Sequence, residues 1–221
     1  MAGADHSGPE QQNLAGSHRS MSHVVTAVLS LDLQQFDPRG ETPVFAAGLE
    51  WTRQTGGPIT QAFLDALPDD WKKEHLVIDS TLVWLGAGFR QGEMFWCHEP
   101  FPGRTDGVPA ASNCERNAEH VALCCGPAGI DFLTGDNVQL EWSDLPLAMN
   151  QIRERHGRLQ AGIFSGHLTA THVPPYTLHR YGWGAFHRHS VATVGGFQFW
   201  IRATRGDNRP LVNGIRNATN L

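Results

Sequence analysis

The sequence predicts a β-rich domain, a barrel or a sandwich, on three observations. Its 221 residues include 24 glycines and 13 prolines but only 18% charged residues, a mixture that short strands joined by turns produce more readily than a helical bundle does. Apolar and polar residues alternate in many short runs that recur about every ten residues. Helical periodicity is confined to two short stretches.

Residues 1–20 are rich in Gly, Ser, Gln and His with a single leucine. Such a stretch buries too little apolar surface to offset its ordering entropy, so a disordered tail is expected there. One domain is expected over residues 22–221, because a chain of this length supports one substantial core. Residues 24–33 read as a β-branched first strand, ended by the turn sequence Asp37-Pro38-Arg39-Gly40. Residues 59–67 carry apolar side chains at helical spacing and stop at Pro68-Asp69-Asp70. Further strands are expected over residues 75–85, 93–99, 120–125, 138–142, 158–164, 168–173, 176–181, 184–187 and 191–204, with a second helix over 147–156.

The formal charge of −5 argues against a generic nucleic-acid binder, whose affinity comes from neutralising phosphates. There is no apolar run of about 18 residues and no basic-then-apolar N-terminus, so neither a membrane span nor a signal peptide is expected, and the cytoplasm is the expected location. Cys97, Cys114, Cys124 and Cys125 lack the density and spacing of a disulfide scaffold and read as free thiols.

Two constellations carry potential chemistry. In Gly196-Phe197-Gln198-Phe199-Trp200-Ile201-Arg202-Ala203-Thr204, alternation sends Phe197, Phe199, Ile201 and Ala203 to one face and Gln198, Trp200, Arg202 and Thr204 to the other. An arginine sharing a face with Trp200 is either a clamp that holds a carboxylate bidentately or a residue of the rim. Just upstream, His187 and His189 share a face of their own strand, with Arg188 opposite. The second constellation is Cys97-His98-Glu99, between Met94-Phe95-Trp96 and Pro100-Phe101-Pro102-Gly103, where a strand is expected to open into a loop. Imidazole and carboxylate ligands with open positions suit non-haem iron(II). In a regular strand Cys97 and Glu99 share a face and His98 points away.

Several segments together resemble the 2-oxoglutarate/iron(II)-dependent oxygenases, in particular divergent bacterial and phage-borne relatives. They are His75-Leu76-Val77-Ile78-Asp79-Ser80, Leu85-Gly86-Ala87-Gly88, Phe95-Trp96-Cys97-His98-Glu99, Glu119-His120-Val121-Ala122-Leu123-Cys124, Phe186-His187-Arg188-His189-Ser190-Val191-Ala192 and the strand from Gly196 to Arg205. The resemblance spans residues 75–205 and implies a double-stranded β-helix of the jelly-roll or cupin-like type with a few peripheral helices. It implies iron(II) and 2-oxoglutarate as cofactors. The distal metal ligand falls on His187, and the early His-x-Asp pair falls on Cys97-x-Glu99, a departure at both ends. Iron would be held by His187, Glu99 and either His98 or Cys97. The co-substrate arginine falls on Gln198, with Arg202 on the same face as its substitute. An unidentified substrate would lie near Trp96 and Trp200. A degenerate β-helix that has lost iron and serves as a binding or structural module is the alternative.

Overall fold

The computed structural model describes residues 26–92, 95–96, 104–105, 108–109, 114–134, 149–182, 184–217 and 219–220. The expected tail over residues 1–20 lies outside them, as do Cys97, His98, Glu99 and the expected strand over 138–142.

The strands are β1 (Thr26–Ser30), β2 (Val44–Phe45), β3 (Leu76–Leu85), β4 (Arg104–Thr105), β5 (Val108–Pro109), β6 (Cys114–Cys125), β7 (Ile130–Thr134), β8 (Thr169–Val173), β9 (Thr177–Gly182), β10 (His187–His189), β11 (Gly196–Asp207), β12 (Gly214–Ile215) and β13 (Thr219–Asn220). The α-helices are α1 (Leu49–Thr55), α2 (Pro58–Ala66) and α3 (Met149–Phe164). The protein is β-rich, as its composition and alternation predict. A six-stranded sheet runs in the order β1-β9-β6-β11-β3-β13, and a three-stranded sheet in the order β10-β7-β8. Pairing within both is antiparallel except for β13, which lies parallel to β3.

Strand β11 is the spine of the large sheet, paired with β3 on one side and β6 on the other. Its two faces part as alternation predicts. Phe199, Ile201 and Ala203 join the main core with Ile78, Leu82, Val121, Leu123 and Leu178, beneath Ile59, Phe63 and Leu64 of α2. On the opposite face, Trp200 packs against Ala122, Cys124 and Tyr181 of the same sheet and Ile130, Phe132 and Val173 of the small one. The small sheet therefore lies on the polar face of the large sheet, and the helical side covers the other.

Helix α2 starts where a buried carboxylate satisfies its free N–H groups. Glu41 accepts from the backbone N–H of Gly57 at 3.1 Å, Ile59 at 2.7 Å and Thr60 at 3.1 Å, and from the Thr60 hydroxyl at 2.6 Å. Pro58, which has no N–H to satisfy, occupies the first turn.

Five local readings are corrected. Residues 158–164 are not a strand; they continue the expected 147–156 helix into the single helix α3. Gly157 invited the break, but it faces open space with nothing within 4 Å of where a Cβ would stand, while Leu159 and Ile163, four apart, form the buried stripe. Helix α1 was not expected, because at seven residues it is only about two turns long and shows too little periodicity. Residues 95–96 are not in a strand, and the long last strand begins at Gly196 rather than 191. In the 184–187 segment only His187 belongs to a strand.

Candidate functional site

The polar face of the large sheet supplies a cluster of histidines, assembled by register. Arg202 lies between Asp79 of β3 and Ala122 of β6, and Ala122 in turn lies opposite His179 of β9. One step along, Thr204 sits opposite His120, which faces Tyr181. From the small sheet, His187 pairs with Phe132 and His189 with Ile130. Because Ile130 and Phe132 belong to the cluster between the sheets, their register partners His187 and His189 face that interior too.

The rings meet there. Phe132 stands 5.3 Å from His179, 5.1 Å from Tyr181 and 5.7 Å from His187, centroid to centroid. Tyr181 lies 5.3 Å from His187 and stacks on His179 at 5.7 Å. These rings bury His179, while His187 and His189 are half-buried.

Two histidines share one local device. His179 donates from Nδ1 to the carbonyl of Thr177 at 3.1 Å, and His187 does so to the carbonyl of Ala185 at 3.0 Å. In each neutral ring this places the lone pair on Nε2, the tautomer that a metal-binding histidine needs. His179 Nε2 is buried and has no hydrogen-bond partner among the described residues. Burial lowers the His179 pKa to about 4, opposed by the Thr177 carbonyl and reinforced by His187. It therefore stays neutral near pH 7.

His189 is held in the other tautomer. Its Nδ1 accepts from the Gln198 amide at 3.3 Å and lies 3.8 Å from Cys124 Sγ. Burial, followed by the charges of His187, His179 and Arg90, lowers its pKa to about 3. Cys124 and Cys125 are buried free thiols. Burial raises both, Cys125 to about 12, so neither is a nucleophile at neutral pH.

Gln198 is fully engaged in the protein, since its oxygen accepts from the Ala128 N–H at 3.1 Å and its nitrogen also donates to Gln91 at 3.1 Å. Arg202 lies 3.8 Å from the Asp79 carboxylate, with its guanidinium 5.2 Å from the Trp200 ring centre. Asp79 also receives Arg209 at 2.8 Å, Arg216 at 3.5 Å and the Ala46 N–H at 3.0 Å. Burial pushes its carboxyl up, but Arg202 and Arg209 outweigh that and hold it below the usual carboxylate range.

The two tryptophans proposed to flank a substrate are separated. Trp200 packs on the cluster containing Phe132, whereas Trp96 packs with Leu133, Leu159, Leu168 and Phe186. Residues 132 and 133 point to opposite faces of β7, so the small sheet divides the two rings. No family model matches the chain, and no curated protein is significantly similar to it. Among the described residues no group of three or more His, Cys, Asp or Glu side chains is arranged to hold a metal ion, and no helix is long and apolar enough to cross a membrane.

Sequence reasoning singled out His187 and paired it with His189, but it missed His179. The signal was present, because His179 and Tyr181 alternate with Leu178 and Arg180. What was missing was the pairing of β9 with β6.

Proposed function

We propose that this chain is a double-stranded β-helix protein acting as a non-haem iron(II)- and 2-oxoglutarate-dependent oxygenase on an unidentified substrate. The observation that carries the reading is His187, whose Nδ1 is fastened to the Ala185 carbonyl, so that its Nε2 has the lone pair required of a ligand in an aromatic-walled space between two sheets. Glu99 and either His98 or Cys97 complete the iron set in this reading. Iron supplies oxygen activation coupled to decarboxylation of 2-oxoglutarate. In this reading Arg202 holds a carboxylate of 2-oxoglutarate. Three guanidiniums, Arg202, Arg209 and Arg216, gather at Asp79, and Arg209 is shared with Asp207. Arg202 makes the longest of the three contacts with Asp79 and is the one facing Trp200.

A second reading, a metal-free binding module built on the same sheets, is favoured by the engagement of Arg202 with Asp79 and the satisfied amide of Gln198. Anaerobic titration with iron(II), followed by calorimetry with 2-oxoglutarate, separates the two. The oxygenase reading expects iron binding that is lost in His187→Ala and Glu99→Ala, then 2-oxoglutarate binding weakened by about 2 kcal/mol or more in Arg202→Ala. Failure of the wild-type protein to bind iron, or of its iron-loaded form to bind 2-oxoglutarate, leaves the binding module.

A further inference from the structure

Strand β3 ends and β11 begins at the same end of the large sheet, where Leu85 stands opposite Gly196. The segments just beyond them are bound to each other. The Gly88 N–H donates to the Ala192 carbonyl at 2.9 Å, and the Ala192 N–H to the Phe89 carbonyl at 2.7 Å. Large apolar side chains stand in solvent around this double loop: Phe89 is 69% exposed, Val194 62%, Trp84 42% and Val191 41%. They form one patch. A Cβ at Gly86 would lie 3.2 Å from the Phe89 ring and 3.6 Å from the Trp84 ring, and one at Gly195 would lie 3.5 Å from the Trp84 ring. The two rings therefore flank Gly86, and Trp84 reaches across to the segment that carries Val191 and Val194.

The chemistry of the patch selects what covers it. Neither residues 84–89 nor residues 190–195 include a charged side chain, so burying the tip strips no ion of its water. Arg90, next in the chain, turns a guanidinium nitrogen into the protein. Arg39 lies over Phe197, the register partner of Trp84, and is paired with Asp37, so that border is neutral. The backbone is satisfied as well, since the Phe89 N–H donates to the Gly86 carbonyl at 3.1 Å in addition to the two bonds between the segments. Of the two polar side chains in these segments, Ser190 already accepts from the Gly129 N–H at 2.9 Å. Thr193 alone is too little to hold a sugar, whose hydroxyls need several partners beside the aromatic rings. A second copy would also gain too little. At these exposures the four side chains offer about 400 Å², half of the roughly 800 Å² per partner of a stable interface.

We propose that this tip docks on a lipid bilayer, inserting Trp84, Phe89, Val191 and Val194 into its interfacial layer. The Trp84 indole suits the headgroup level, where one end of the ring is wet and the other apolar. The N–H groups of Gly88, Phe89 and Ala192 stay bonded where water is scarce, and the apolar side chains supply the binding energy.

Co-sedimentation of the full chain with phosphatidylcholine vesicles tests the proposal, with EDTA present so that iron has no part in the outcome. Saturable binding is expected, and it should persist in about 1 M sodium chloride because no ion pair carries it. Phe89→Ser should bind about tenfold more weakly, the scale of removing one mostly exposed ring from the contact, and the Phe89→Ser/Val194→Ser pair more weakly still. Both should unfold at the wild-type temperature, since neither side chain is in the core. Phe164→Ser, which removes an exposed ring at the end of α3, should bind as the wild type does. The proposal is overturned if the wild-type protein does not bind the vesicles, if salt abolishes binding, if Phe89→Ser binds as the wild type does, or if Phe164→Ser weakens binding equally. A vesicle-free dimer that Phe89→Ser dissociates, seen by ultracentrifugation, would also overturn it and assign the patch to a second copy.

Discussion

Gln198 donates from its side-chain nitrogen to His189 Nδ1 at 3.3 Å, which assigns the His189 proton to Nε2 and ties the large sheet to the small one. The same amide holds Ala128 and Gln91, so one fully buried side chain joins β11, β10 and two connecting segments. Gln198→Leu removes all of these bonds and strands the Ala128 N–H. We expect a loss of about 2 kcal/mol or more in urea unfolding. A change below about 0.5 kcal/mol, the scatter of neutral surface substitutions, would show that the network carries little stability.

Acid should weaken the fold through the interior histidines. Unfolded histidine titrates near 6.5, whereas folded His179 and His189 are lowered to about 4 and about 3. Below pH 6.5 the unfolded state binds more protons, so their contribution is fully present above that pH and falls as pH drops towards 4 and then 3. Each contributes a slope of up to about 1.4 kcal/mol per pH unit in its window. Stability measured from pH 7 to pH 4 should decline less steeply in His179→Phe than in the wild type. Parallel pH profiles would refute the assignment.

Asp79 neutralises guanidiniums from β11 and from two residues of the C-terminal segment, Arg209 and Arg216. Asp79→Asn keeps the shape but leaves those charges without their shared carboxylate, and a loss of about 3 kcal/mol is expected in chemical denaturation. Protease cleavage beyond Asp207 should accelerate in the variant, since Arg209 and Arg216 lose a buried anchor. Unchanged cleavage would place the anchoring elsewhere.

Gly126, directly after β6, has φ of +141°, and a Cβ there would meet the Phe197 carbonyl at 2.5 Å and Gln198 Cα at 2.8 Å. Gly166 has φ of +77° with nothing within 4 Å of its Cβ position. Gly166→Ala should therefore cost about 1 kcal/mol from backbone conformation alone. Gly126→Ala adds a backbone clash and should cost clearly more, which paired thermal denaturation will show.

The alternating faces of β11 were legible because burial in a sheet repeats every two residues, and Gln198-x-Trp200-x-Arg202 displays that period without interruption. The helical character of residues 158–164 was hidden by Gly157 and by a stripe reduced to Leu159 and Ile163. Helix α1 was hidden by its shortness, and its termination at Gly56 was readable only once its start at Gly48 was known.

By itself the sequence determined that the protein is rich in β-structure, that His187 and His189 face the same way with Arg188 opposed, and that Arg202 shares a face with Trp200. All of these follow from local stereochemistry, which acts between residues two apart. Only the tertiary structure decided that His179 joins His187 around Phe132, that Arg202 meets Asp79, and that Trp96 and Trp200 lie on opposite sides of the small sheet. Those relations depend on which strands pair and in what register. Pairing is settled by the burial of whole faces across long stretches of chain, so it leaves no mark at any single position.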